Sequence, residues 1–373
     1  MKKRSQINEV YVVRAIAILG VLAVHSTSSV VTELGHDSKF WIFYNFVNIF
    51  MKFGTPTFIM LSSFVLFYNY SNRKIDQQLL RRFYKNRLLY ILIPYLIFSI
   101  FYYSLTVFLY YDYSLQEFFN KFTIKLLTGK AYTHLYFVFI SIQFYILFPI
   151  LLWVFQKWKW ISKNAIWIGL VIQWAFVLYN HYILNFPLTG SISLSYMSYY
   201  FLGGFLGIYY DKVKDWLIFN NRRILSISIW IVWLIAGFSH VYLWYWTRTT
   251  GLYTDAKLYT FLWNIHTLAS SIVLMQMAYW IYAKWSPKIV NILIQLGIVS
   301  FGVYLIHPFI LLVYRNGINV STSVLYHLYV IGGFLAVLII SWIVVRFSME
   351  KNKWSWIFFG AIPKKIPVKE EER

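Results

Sequence analysis

Long apolar runs alternate along the chain with short stretches that hold nearly all of its charge. A helix crossing a bilayer needs about 20 predominantly apolar residues. Ten runs meet or approach that length, near 10–32, 43–70, 88–111, 132–156, 164–184, 193–210, 224–246, 258–283, 292–314 and 324–347. The pattern predicts an all-α, polytopic membrane protein with about ten transmembrane helices. The run at 43–70 is long and interrupted by Lys52 and Pro56, and it reads as an interfacial segment followed by the true span. The first run is too long for a removable signal peptide and lacks the cleavage pattern. With no soluble domain, linker or repeat in the series, residues 1–350 read as one helical bundle. Residues 351–373 read as a short basic cytoplasmic tail.

Composition changes the picture in two ways. Of the 373 residues 60% are hydrophobic and 13% charged, against about a quarter charged in soluble domains. Cysteine is absent, which excludes disulfides, thiolate metal sites and a cysteine nucleophile. The net charge of +21 is not a nucleic-acid footprint, because the cations sit in small clusters between apolar runs. Basic residues favour the cytoplasmic side. With the N-terminus inside, the inner segments collect 25 Lys and Arg and the outer segments 7. Both termini are therefore expected in the cytoplasm, and the protein in the cell membrane.

All 13 acidic residues fall at the ends of runs or between them. Cation-coupled pumps relay charge through buried carboxylates, and none is offered here. Two other ionisable groups do lie inside the first run, "RAIAILGVLAVH". Arg14 and His25 are eleven residues apart, which on a helix is about 16 Å along the axis and within about 20° of one face. Arg14 admits two readings, a side chain snorkelling to the inner headgroups or a ligand-binding cation. His25 lies in the outer half, and it reads either as a buried histidine hydrogen-bonded to a neighbour or, as intramembrane ionisable groups more often do, as the mark of a pathway or a reaction site. His36, His134, His181, His240, His266, His307 and His327 also fall toward the outer side. They lack the spacing of metal ligands, so no metal is expected. A neutral imidazole that takes a proton from a hydroxyl suits them better. The cluster "RRFYKNRLLYILIPY", with Arg81, Arg82, Lys85 and Arg87, reads first as topological anchoring and second as a phosphate-binding mouth, two roles that are compatible. No glycine-rich nucleotide loop occurs.

These residues resemble the integral-membrane acyltransferase family 3, multispan enzymes that O-acylate sugars and cell-surface polymers. Arg14 and His25 reproduce the family's Arg-x10-His signature. "GTPTFIMLSSFVL" (54–66) is similar to its second-span segment, with Phe58, Ser62 and Phe64 in place and Ser63 where glycine is usual. The basic run before Pro94, "HLYFVFISIQFYILFP" (134–149), "YYFLGGFLG" (199–207) and "FGVYLIHP" (301–308) follow in the family's order. The aromatic-rich spans resemble the branch associated with modification or export of intercellular polysaccharide adhesin.

The resemblance implies transfer of a short acyl group, acetyl or similar, from cytoplasmic acyl-CoA to a hydroxyl of an extracytoplasmic glycan or cell-surface polymer. Acyl-CoA is then a co-substrate, and no cofactor is expected. His25 would be the general base or a transient nucleophile. Arg14 would orient the donor, with Arg81, Arg82 and Arg87 candidates for its phosphates. Ser62, Tyr304 and His307 would line the chamber, or serve as ordinary interhelical hydrogen bonds. The esterase-like extracellular domain of some relatives is not expected here, so transfer would be completed in the bundle or with a separate extracytoplasmic partner. The alternative is a transporter of a polysaccharide or lipid-linked sugar. The acyl group, the acceptor and the oligomeric state are not encoded in any motif.

Overall fold

The computed structural model describes residues 4–318, 323–361 and 367–369. Every regular element among the described residues is helical, and nine helical stretches are long and apolar enough to cross a bilayer. The all-α polytopic expectation holds. The run at 193–210 differs: it forms only the 12-residue helix Met197–Ile208, about 18 Å long.

The path of the chain nevertheless requires that short segment to cross. Tyr11, Arg14 and the carbonyl of His25 meet Gly297, Ser300 and Arg315 in ascending order. Helix Glu9–Thr27 and helix Pro287–Gly317 therefore run in the same direction. An odd number of crossings must separate them, and six long helical stretches lie between. The segment before residue 211 supplies the seventh. Consistently, Arg4 ion-pairs with Asp211 at 3.8 Å, so the chain is back on the N-terminal side where that segment ends.

Contacts divide the chain into two compact units, one of residues 1–61, 211–346 and 363–373, the other of residues 62–210 and 347–362. In the first unit, helix 9–27 is built of Ala, Val, Gly, Ile and Leu and is buried on nearly every face. Helices Pro287–Gly317, Ala256–Lys284 and Lys39–Phe50 pack on it, and helix Arg223–Thr250 packs on the last two. Small residues let helix backbones approach closely where lipid gives no hydrophobic drive. Gly297 is the extreme case, since a Cβ there would lie 1.9 Å from the Tyr11 carbonyl oxygen.

The 43–70 run breaks at residues 51–53, between helices Lys39–Phe50 and Gly54–Tyr70. The break is not interfacial. Gly20 faces the Phe53 ring and the Met51 carbonyl, while Gly54 sits against Ala17 and Val21. These partners are the middle of the first span. Irregular backbone at that depth survives only where protein satisfies it. His266 does so here, its Nε2 lying 3.0 Å from the Phe50 carbonyl oxygen. Nothing in the run itself encodes this distant cap.

In the second unit, helix Gln77–Arg87 continues through a π turn at Leu88–Leu92 into helix Ile93–Tyr110. Helices Tyr136–Lys157 and Ala165–Tyr179 flank the short return segment. That segment descends as 3₁₀ turns at Thr189–Ser191 and Ser193–Tyr196. Side chains meet its backbone: Gln143 Nε2 donates to the Ser191 carbonyl at 2.7 Å and Gln143 Oε1 accepts from Ser193 N at 3.0 Å. Buried Gln173 Oε1 accepts from Ser198 N at 3.1 Å, satisfying an orphan donor in the first turn of helix 197–208.

Candidate functional site

Arg14 and His25 lie on one unbroken helix, and both turn toward helix 287–317. Arg14 Nε donates to Ser300 Oγ at 3.2 Å, and Ser300 Oγ donates in turn to the Gly297 carbonyl at 2.8 Å. The hydroxyl thus uses its single proton on the backbone and presents a lone pair to the guanidinium. Arg14 is oriented by protein, on the face it shares with His25, and is not simply turned to the headgroups.

At the other end the His25 and His307 rings meet edge to face, with centroids 4.8 Å apart and planes inclined by 62°. His25 keeps part of its surface accessible, while His307 is fully buried. Pro308 explains how His307 is held. Proline has no N–H, so the Tyr304 carbonyl, four residues earlier, loses its helical partner. His307 Nδ1 fills the gap, donating to that carbonyl at 2.7 Å. A carbonyl only accepts, so the Nδ1 proton is fixed and Nε2 carries the lone pair of the neutral ring. The Tyr304-x-x-His307-Pro308 spacing is thus a device for choosing a tautomer.

Arg315 was legible in the sequence only as an outer-side cation. In the structure its Nη2 donates to the His25 carbonyl oxygen at 2.9 Å. That carbonyl also accepts from Ser28 Oγ at 2.8 Å and is among the last four of helix 9–27, where the helix dipole favours a cation. The helix turn that carries His25 is therefore pinned from the same helix that carries His307. Gly297, Ser300, Tyr304 and His307 recur at helical spacing on the face turned to helix 9–27, and this periodic row of small and polar residues is the signal by which Ser300 could have been found.

The remaining candidates belong to the second unit. Ser62 Oγ lies 3.2 Å from Tyr145 OH, and the Arg87 guanidinium stands 5.2 Å from the centre of the Tyr145 ring. Tyr145 thus gathers Ser62 and Arg87. Arg81 and Arg82 stand exposed on helix 77–87. Ser63 is buried and donates to the Tyr200 carbonyl, so its hydroxyl finds a backbone partner where the family's glycine would need none. The eight histidines do not converge: His134 packs on Tyr102 and Tyr132, His36 on Trp41, and His327 on Phe40 and Tyr44. Among the described residues no three His, Asp or Glu side chains gather closely enough to hold a metal ion.

Comparison with known proteins adds a family and relatives. The family model described as "Acyltransferase domain" matches residues 7–346. A probable poly-beta-1,6-N-acetyl-D-glucosamine export protein of Staphylococcus aureus (strain MRSA252) is 28% identical over 268 residues, covering 69% of each chain. A protein of the same description from Staphylococcus epidermidis is 25% identical over 326 residues, covering 83% of this chain and 82% of its own. No solved structure matches.

Proposed function

The chain belongs to the acyltransferase 3 family, and from that premise we propose that it moves a short acyl group from cytoplasmic acyl-CoA to a hydroxyl of an extracytoplasmic polysaccharide. It is a multi-pass membrane acyltransferase; the donor, the acceptor and the plasma membrane as its location are the proposed parts. The names of the Staphylococcus relatives support an amino-sugar polymer as the acceptor.

One observation carries the reading: a single helix holds a protein-oriented guanidinium and, about 16 Å further along, an imidazole against a second imidazole of fixed tautomer. Arg14 meets the anionic donor at the inner end. The distance to His25 is comparable to the reach of an extended pantetheine arm. At the outer end the acceptor hydroxyl oxygen attacks the thioester carbonyl as His25 takes its proton. The carbonyl carbon–sulfur bond breaks, an ester bond forms, and the proton passes from the imidazolium to the departing thiolate. His307 packs against His25 and holds its ring in place.

Mass spectrometry of surface polymer tests this. Cells lacking the gene are compared with cells restored by wild type or by His25→Ala, with the variant's abundance in the membrane checked. The wild type restores a defined mass increment and His25→Ala does not; a full increment with His25→Ala removes the mechanism.

A second reading, export, is favoured by the relatives' names and by the mid-depth break at residues 51–53, a feature of substrate sites in transporters. It predicts lost polymer secretion in the His25→Ala strain with acylation intact.

A further inference from the structure

The first unit holds a second polar cluster that acyl transfer leaves unused. On helix 223–250, His240, Trp244 and Arg248 stand four residues apart and share one face. Lys52 reaches them from the break in the 39–70 stretch. Its Nζ lies 5.3 Å from the centre of the Trp244 ring, and the Arg248 guanidinium lies 5.4 Å from the same ring. The two cations feel each other's charge, and Lys52 acts on His240 as well.

Among the described residues no carboxylate pairs with Lys52 or Arg248. Arg248 is oriented by neutral amides, donating to Asn45 Oδ1 at 2.8 Å and Asn48 Oδ1 at 3.1 Å. Those bonds aim the guanidinium without cancelling its charge.

His240 makes the point independently. The Trp244 indole N–H, which can only donate, gives its hydrogen to His240 Nε2 at 3.0 Å. Nε2 therefore carries the lone pair, and the proton of the neutral ring sits on Nδ1. His240 is only 3% exposed, and this Nδ1–H meets no acceptor among the described residues. A buried donor without an acceptor is costly, and so are half-buried like charges without a counter-ion. One bound oxyanion would relieve both.

We propose that Lys52, Arg248 and His240 form an oxyanion-binding site beside the Trp244 ring that takes a carboxylate or phosphate group. The site adjoins the reaction centre through Asn48, which donates to the Val24 carbonyl at 3.1 Å and to Thr27 Oγ1 at 3.4 Å, on either side of His25. A bound oxyanion is thereby held beside the turn that carries His25. The inference rests on the cluster and survives if the acyl-transfer reading fails. Its ligand is either a soluble or glycan-borne oxyanion or the headgroup of an anionic lipid.

The test uses the full chain in nanodiscs. One arm uses phosphatidylcholine alone, with inorganic phosphate or glucuronate titrated at constant ionic strength against chloride. The other replaces part of the lipid with phosphatidylglycerol and adds no anion. The thermal unfolding midpoint is read in each. A saturable rise in the first arm assigns a soluble oxyanion, and a rise confined to the second assigns a lipid headgroup. Lys52→Gln and Arg248→Gln weaken the response about tenfold or more, as loss of a charge-assisted hydrogen bond requires. Lys52→Gln also raises the midpoint without anion, because it removes one of two repelling charges. No rise in either arm, an undiminished rise in both variants, or a lower anion-free midpoint in Lys52→Gln overturns the proposal.

Discussion

Helix 9–27 and helix 77–87 both carry arginine beside apolar sequence, and the structure treats them in opposite ways. Arg14 sits among buried residues and is met by a hydroxyl that has spent its own proton elsewhere. Arg81 and Arg82 stand exposed on an amphipathic helix whose N-terminus is capped by Asp76. A cation at hydrocarbon depth requires a protein partner, so its surroundings report what the site is built to do. A cation at the membrane rim requires only water, so its presence alone does not separate anchoring from ligand binding. Arg87 is intermediate, half-buried against Phe83 and Tyr145.

The largest expected effect breaks the buried region outright. Gly297→Val drives a side chain into the Tyr11 carbonyl. Overpacking of this kind costs about 1–3 kcal/mol, which a lowered thermal midpoint in detergent and lost activity would register. Next is Pro308→Ala, which returns an N–H to the Tyr304 carbonyl and displaces His307 Nδ1. Activity should fall by up to about 100-fold, the cost of a misplaced reacting group, with the midpoint unchanged or raised. Unchanged activity would mean the tautomer device has no role.

The exposed region should respond less. Arg81→Ala combined with Arg82→Ala should raise the KM for acyl-CoA about threefold to tenfold, leave kcat unchanged, and lose its effect in high salt. An unaltered KM would assign both residues to anchoring. The smallest effect lies outside the membrane, at helix Leu115–Leu127. Hydrogen bonds from Ser114, backbone first and hydroxyl second, hold the Glu117 carboxyl below its ordinary value of 4.5. A depressed carboxyl stabilises the fold above the unfolded value and loses that contribution as pH falls through the folded value. Protection factors of this helix, which correct for the pH dependence of intrinsic amide exchange, should therefore be higher at pH 6 than at pH 3, and Glu117→Gln should remove most of the difference.

The helical class, the span positions and the Arg14–His25 face were legible because hydropathy and helical periodicity are local properties of sequence. The depth of the break at residues 51–53 was not, since His266 caps Phe50 from more than two hundred residues away. The crossing at 193–210 was readable as an apolar run, but its 3₁₀ turns depend on Gln143 and the start of its helix on Gln173, both from neighbouring helices. Within the site, His307 stood out as part of a motif. Ser300 and Arg315 did not, because serine is common in spans and Arg315 looks like any outer-side cation. Arg248 was counted the same way, yet it is tied to two buried asparagines.

The central claim is that His25 moves the acceptor's proton. It is tested most directly with purified protein in nanodiscs, isotope-labelled acyl-CoA and polymer acceptor, following label on the polymer over time. His25→Ala should slow labelling by about 10²- to 10⁴-fold, the usual contribution of a general base, while acyl-CoA binding stays within about twofold of wild type, since the variant leaves Arg14 and its partner Ser300 in place. Labelling at the wild-type rate by His25→Ala would contradict the account.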